Sequence, residues 1–385
     1  MEQPTRTVRA VGAEGFVFLL LFVGFFGPVV GVMGMANFFK TLMGTAHDLL
    51  INTVFFLMAV AVVTGALGAL FSEFGVVHIL DRLLRKLMRP LFNLPGMAVM
   101  GVITTYLSDN PAIISLARDR NFLKAFKKWQ LPLLCNLGTS FGMGLIVSTY
   151  MLALGTRIGT SMFAPVLIGN LGALIGSITS VRIMAIFSKK ELGDIGDEKT
   201  SEVAGIEQRR EIREGSIFHR LLAALLEGGK TGVDIGLGII PGVLVVSTLV
   251  VLLTYGPKDP AIGFQGLAYE GVGFLPWLGE KIFPVLEFLF GFKSPELIAF
   301  PLTSLGSSGA ALALIPRFID KGILTPTNIA VFTSMGMCWS GYLSTHIAMM
   351  DALGYRSLTN KALFSHTVAG LVAGMSSHFL CRLFL

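Results

Sequence analysis

Charge is scarce in this sequence. Only 14% of its 385 residues are Asp, Glu, Lys or Arg, against roughly 25% in a soluble domain, and a disordered chain would be richer still in charge. Cysteine is scarcer. Three of them, Cys135, Cys338 and Cys381, exclude a disulfide scaffold and every cysteine-rich zinc signature. Soluble-enzyme motifs are missing too: no phosphate-binding P-loop, no His-Glu-x-x-His, no Gly-x-Ser-x-Gly. No enzyme is expected and no cofactor, and an ATP-driven pump would need its nucleotide domain from a partner. What fills the chain is apolar: 53% hydrophobic residues, with 30 Phe and 45 Gly. A net charge of +6 would suit nucleic acid in a polar protein. In a chain this apolar it reads as basic cytoplasmic loops. The expectation is an all-α polytopic protein whose principal partner is the lipid bilayer, with no nucleic acid.

A bilayer core of about 30 Å takes about 20 apolar residues per helix. Seven stretches meet that length: Val11–Ala36, Asp48–Phe71, Leu131–Leu154, Phe163–Phe187, Ile235–Tyr255, Asn328–Met350 and Ala362–Leu385. The first is too long for a cleavable signal peptide. His78–Phe92, with Arg82, Arg85, Lys86 and Arg89 among leucines, and Phe274–Phe290 both read as amphipathic helices lying in the interface. Met97–Leu116 and Leu297–Ile315 are broken by Ser108-Asp109-Asn110-Pro111 and by Ser304 to Gly309. Polar breaks at membrane depth survive only where protein or a wet cavity surrounds them, so both read as re-entrant helical hairpins.

The halves repeat. Leu107 to Ala112 aligns with Leu305 to Ala310, Thr139-Ser140-Phe141-Gly142-Met143 with Thr333-Ser334-Met335-Gly336-Met337, and Ser148-Thr149-Tyr150 with Ser344-Thr345-His346. Residues 1–44 form an extra N-terminal helix, 45–187 a first repeat, 188–216 a hydrophilic cytoplasmic linker and 217–385 a second repeat. Three crossings per repeat invert the second copy. Most of the 30 Lys and Arg then share the N-terminal side. That predicts an inner-membrane protein with a cytoplasmic N-terminus and an external C-terminus. Inverted repeats with broken elements at mid-membrane are a secondary-transporter architecture.

Asp109 is the sharpest residue. An intramembrane acid is a functional candidate by default, yet at this position it can also cap the following helix, and both readings stay open. The opposite tip offers Ser304, Ser307 and Ser308, whose hydroxyls can face a polar solute or cap a helix. Beside the tips, Asn136, Thr139 and Ser140 on one span and Thr333 and Ser334 on another make polar stripes, explained by interhelical hydrogen bonds or by solute contact. Asp109, His346 and Asp351 are the candidates for proton or ion coupling, the coupling ion being a proton or sodium. Asn170 reads as a packing hydrogen bond.

Pro90-Leu91-Phe92-Asn93-Leu94-Pro95-Gly96 leading into a small-residue hairpin, with a second copy from Leu289 through Ser308, resembles the nucleoside-recognition, or gate-domain, membrane family. That family is similar to concentrative nucleoside transporters, to spore maturation proteins and to the membrane part of ferrous-iron permeases. The resemblance implies paired hairpins with tips meeting near the bilayer centre. It thereby points to Ser108, Asp109, Asn110, Ser307 and Ser308 at the tips, flanked by Asn136, Thr139, Thr333 and Ser334. The sequence lacks the attached GTPase of the iron permeases and the full ribose-gripping pattern of the nucleoside transporters. The leading expectation is a secondary active transporter of a small polar solute, nucleoside-like by family analogy. The alternatives are a divalent-metal permease using Cys135, Cys338, His346, Met143, Met337 and Met349, and a partner-dependent protein handling a lipid-linked substrate. The extra first helix offers a surface for a homodimer.

Overall fold

The structure, a computed structural model, describes residues 10–109, 112–116, 120–193 and 212–385. Among them every regular element is helical, apart from one isolated bridge between Asp259 and Gly263. Six helical stretches are long and apolar enough to cross a membrane. The chain is an all-α polytopic membrane protein.

Helix α1 (Ala13–Met33) shows lipid-facing Phe and Leu on nearly all sides, as expected of a peripheral span. Gly34, at φ 78°, turns the chain into α2 (Met35–Asp48). This amphipathic helix continues through a π-helical turn, Leu49–Val54, into α3 (Phe55–Glu73). The second span is therefore one continuous rod from Met35, not a helix that starts at Asp48. Helix α4 (Val76–Phe92) is the expected interfacial helix; Asn93 in the left-handed region closes it ahead of Pro95. Helices α5 (Ala98–Leu107) and α6 (Ala112–Leu116) form the first hairpin. Ile113 folds back on Gly101 and Gly138, where an added Cβ would lie 2.5 and 3.2 Å from it. Helix α7 (Arg120–Lys124) leads to α8 (Leu133–Phe141), and α9 (Gly144–Ala153) continues through α10 (Gly155–Ile158). Then α11 (Phe163–Leu192) crosses in 30 residues.

The second half runs in parallel. Helix α12 (Ile217–Pro241) passes through a second π-helical turn, Gly242–Ser247, into α13 (Thr248–Thr254). Two short helices, α14 (Phe274–Lys281) and α15 (Phe283–Phe290), replace the single expected interfacial helix, because Pro284 starts a new helix after Ile282. Helices α16 (Ala299–Gly306) and α17 (Ser308–Leu312) form the second hairpin, and α18 (Ile315–Asp320) follows. Helices α19 (Pro326–Cys338), α20 (Tyr342–Ala352) and α21 (Thr359–Phe384) complete the fold.

Two expected spans are thus interrupted. Leu131–Leu154 breaks at Gly142–Met143 and Asn328–Met350 breaks between Cys338 and Tyr342. At each break one residue sits in the left-handed region, Met143 at φ 56° and Gly341 at φ 58°. Asn93 and Gly291 end α4 and α15 in the same way. Both pairs are 198 positions apart, the offset of the hairpin tips. Carried through the broken helices, that offset pairs Asn136 with Ser334 and Ser148 with His346. The sequence match of Thr139-Ser140 with Thr333-Ser334 is therefore displaced by one helical turn. Small residues on both strips make such a slip easy.

Glycine seams join the halves. Gly228, Gly232 and Gly236 on α12 lie on α3; a Cβ at Gly232 would meet the Ala61 carbonyl oxygen at 2.3 Å. Gly172 and Gly176 on α11 touch the backbone of α21 at Ala373 and Ala369. Small residues let membrane helices approach backbone to backbone. Polar contacts then mark two opposite faces. One carries Glu73 with Arg220 at 2.7 Å, the carbonyl of Lys128 bonded by Tyr355, and Lys361 with Glu191. The other carries Arg157 with Asp320 at 2.9 Å, Lys321 with Glu296 at 2.7 Å, and Arg317 over the Tyr269 ring. On the second face the Tyr269 phenol donates to Asp48, and burial, reinforced by that carboxylate, pushes its pKa up. On the first, burial raises the Asp81 carboxyl despite Arg85 at 2.8 Å.

Candidate functional site

The interrupted helices α8 and α20 face each other inside the bundle with α11 and α21 behind them. Their polar side chains meet in one fully buried knot. Asn136 Nδ2 donates to Ser180 Oγ at 2.9 Å and to the Ala362 carbonyl at 3.1 Å. That fixes the amide orientation and leaves Asn136 Oδ1 to face His346 Nε2 at 3.4 Å. His346 Nδ1 lies 3.2 Å from Thr139 Oγ1, which also reaches the Cys135 carbonyl at 2.9 Å. Ser180 Oγ meets His366 Nδ1 at 2.8 Å, and His366 Nε2 donates to the Cys338 carbonyl. The two imidazole rings are 4.9 Å apart, flanked by Tyr342. Asn136, Thr139, Ser180, His346 and His366 are all 0% exposed. Four helices from both halves contribute, so the knot ties the halves together at the break.

Ser180 and His366 escape the sequence reading. The available signal was charge-capable chemistry inside an apolar span: His366 lies within Ala362–Leu385, and an intramembrane histidine is a candidate by the same rule as Asp109.

The remaining expected residues sit elsewhere or serve their own backbone. Ser140 donates to the Asn136 carbonyl, Thr333 to Ile329 and Ser334 to Val331. Thr333 also packs against Gly169 of α11. Ser307 caps α17 by accepting from the Ala310 N–H at 3.2 Å, and a Cβ at Gly242 in the second π turn would meet its Oγ. Ser308 donates to the Gly336 carbonyl at 2.7 Å. Ser304 Oγ is buried without a hydrogen-bond partner among the described residues. Ser108 ends α5, and the Asp109 carbonyl accepts from the Ala112 N–H, closing the first tip. Asn110 lies outside the described residues. His346 and Asp351 do not pair: His346 has both ring nitrogens on Thr139 and Asn136, while Asp351 is exposed at the end of α20. Their spacing of five puts them on different faces of one helix.

Asn170 serves the first hairpin. It accepts from Tyr106 at 3.0 Å and donates to Ser148 at 3.0 Å, joining α5, α9 and α11. The two π turns pack on each other through Leu49, Val54 and Val243, beside Ala313 after the second hairpin. Such turns are rare and recur at functional sites. Among the described residues no three His, Cys, Asp or Glu side chains gather as a metal site.

This arrangement of paired hairpins, interrupted helices and long π-turned rods is the fold of solved structures of a transporter. Structural neighbours include states of CNTnw, a concentrative nucleoside transporter. Its substrate-bound inward-facing state superposes with a TM-score of 0.55 over 97% of this chain and 85% of that one, at 12% identity. A variant in an intermediate state gives 0.53 over 96% and 87%, at 13% identity. A variant in an outward-facing state gives 0.50 over 96% and 86%, at 12% identity. In sequence, an uncharacterized protein of Alkalihalophilus pseudofirmus is 24% identical over 309 residues, 77% of this chain and 59% of that protein. The chain thus spans about three fifths of that relative's length. No family model matches the chain.

Proposed function

We propose that this protein is a secondary active transporter of a small polar solute, nucleoside-like by analogy with its structural neighbours. It would run with its N-terminus in the cytoplasm and its C-terminus outside, and its two halves would act as inverted repeats. The observation that carries the reading is the knot at the interrupted helices. Stability alone does not require two histidines and an asparagine buried between broken helices. Such groups are costly in an apolar medium unless every hydrogen bond is met. Here they line the junction between the halves, where alternating access operates in inverted-repeat transporters. The solute would enter between the hairpin tips, at Ser108, Asp109 and Ser304, above the knot.

The coupling ion in this reading is a proton held at His346. Asn136 Oδ1 requires an N–H from Nε2. The single Thr139 hydrogen can serve either the Cys135 carbonyl or His346 Nδ1. With the hydroxyl turned to Nδ1 the ring is satisfied neutral. With it turned to Cys135 the ring is satisfied charged. One rotation therefore lets the ring take up or release a proton with both of its nitrogens still paired. The metal alternative has no observation in its favour, because the two buried thiols donate separately, Cys135 to the His346 carbonyl and Cys338 to that of Ala173.

Uptake of labelled nucleosides, nucleobases and amino acids into proteoliposomes, with imposed proton or sodium gradients, tests both parts. The expected result is proton-driven uptake of one solute class. Thr139→Val should shift its pH profile while leaving the folded protein intact. Folded protein that moves none of these solutes under either gradient removes the transporter reading. Sodium-driven uptake with an unchanged pH profile removes the proton at His346.

A further inference from the structure

On the face that carries Arg157, Asp320 and Lys321, a cavity of about 490 Å³ opens between the end of α15, the start of α19 and the end of α21. It lies about 18 Å along α21 from His366 at 1.5 Å per residue, so it is separate from the knot. Its polar wall includes Glu287, Lys293, Thr327, His378 and Arg382. Arg382 is exposed and forms no hydrogen bond or ion pair among the described residues. His378 is only 7% exposed, yet its Nδ1 has no hydrogen-bond partner among the described residues. Gly291 makes room for it: a Cβ there would lie 2.4 Å from that nitrogen. Thr327 is the second residue of α19, where the backbone N–H has no partner within the helix and the dipole favours an anion. Lys293 is 2.8 Å from Glu287, which holds it on the rim.

We propose that this cavity binds a phosphate group, carried by an anionic lipid headgroup or free in solution, through Arg382, His378 and Lys293. A guanidinium fork matches the oxygen geometry of phosphate. The buried imidazole supplies a second polar contact, and the start of α19 a third. On the lipid side, Phe288 on the cavity wall and Leu383 beyond Arg382 are 64% and 73% exposed, which would seat acyl chains beside a bound headgroup. The Glu287 carboxylate opposes the anion while it neutralises Lys293.

Binding to the purified chain in detergent, followed by native mass spectrometry and melting temperature, tests the proposal with three probes: phosphatidylglycerol, phosphatidylcholine and inorganic phosphate. The expectation is preferential retention of phosphatidylglycerol over phosphatidylcholine. Arg382→Gln should weaken it about tenfold, the loss of one charge-assisted contact. Glu287→Gln should strengthen it several-fold by freeing Lys293. Stabilisation by inorganic phosphate, with the same response to the two variants, would assign the soluble source instead. Equal retention of the two lipids with no effect of phosphate overturns the proposal, as does unchanged binding in Arg382→Gln, an exposed position whose change leaves the fold intact. None of these outcomes depends on transport activity.

Discussion

Two of the places where the halves meet are built from opposite chemistry. Between α3 and α12 the contact is close and made of backbone: Gly65 lies on Gly228, and Gly232 on Ala61. Between α8 and α20, backed by α11 and α21, the contact is a closed set of polar side chains around two histidines. In lipid there is no hydrophobic force to bring helices together, so close packing and hydrogen bonds must do it. A glycine seam has one good geometry and resists change. A hydrogen-bonded knot can exchange partners by turning a hydroxyl or an imidazole. The first suits a frame, and the second suits a part that changes state during a cycle.

The hardest test of that contrast is Gly232→Val. The added carbons would overlap the Ala61 carbonyl and the Val62 Cα at 2.3 and 2.5 Å, backbone that cannot rotate away. The helices must separate, at about 3 kcal/mol or more, the upper end of overpacking costs. Loss of monodisperse protein on size exclusion is expected, and a well-folded variant would show that the seam is not a frame. Asn136→Leu comes next. It removes partners from Ser180, His346 and the Ala362 carbonyl together. Interhelical hydrogen bonds in membranes are worth about 1–2 kcal/mol at most, so the protein should stay folded with a lower melting temperature while solute uptake falls to background. Retained uptake would reduce the knot to a structural clasp.

The layout was legible where hydrophobicity alone decides it. Apolar runs located the crossings, and Arg82 to Arg89 among leucines located α4. The broken hairpins followed from Asp109 and Ser307 interrupting otherwise apolar stretches at membrane depth. What escaped was geometry in which a local pattern has several solutions. Leu131–Leu154 and Asn328–Met350 read as continuous because a single residue such as Met143 in the left-handed region leaves no trace in hydropathy. The π turns at Leu49–Val54 and Gly242–Ser247 are likewise invisible, since each only widens an unbroken helix. Asn136 and Thr139 were readable as polar residues in a span. That Ser180 and His366 partner them was not, because partnership across helices depends on how α11 and α21 rotate, and small residues permit many rotations.

The smallest expected effect separates the two interrupted helices from each other. Gly341 and Met143 hold nearly the same backbone, φ 58° and 56°, but glycine adopts it freely whereas a side chain costs roughly 1 kcal/mol. Gly341→Ala should therefore lower stability by about 1 kcal/mol, a shift of a few degrees at most in a chain of this size. Its effect on transport should exceed its effect on melting if Gly341 is a hinge as well as a turn, because Tyr342 and His346 both ride on the helix that starts there. Met143→Gly relieves the same strain, roughly 1 kcal/mol, but removes a buried side chain, 6% exposed, at about 2–5 kcal/mol, so it should lower the melting temperature. Purely thermal effects at both positions, with uptake unchanged, would make the two breaks equivalent turns. An uptake defect confined to position 341 would place the moving joint in α19–α20, on the side of the knot that carries His346.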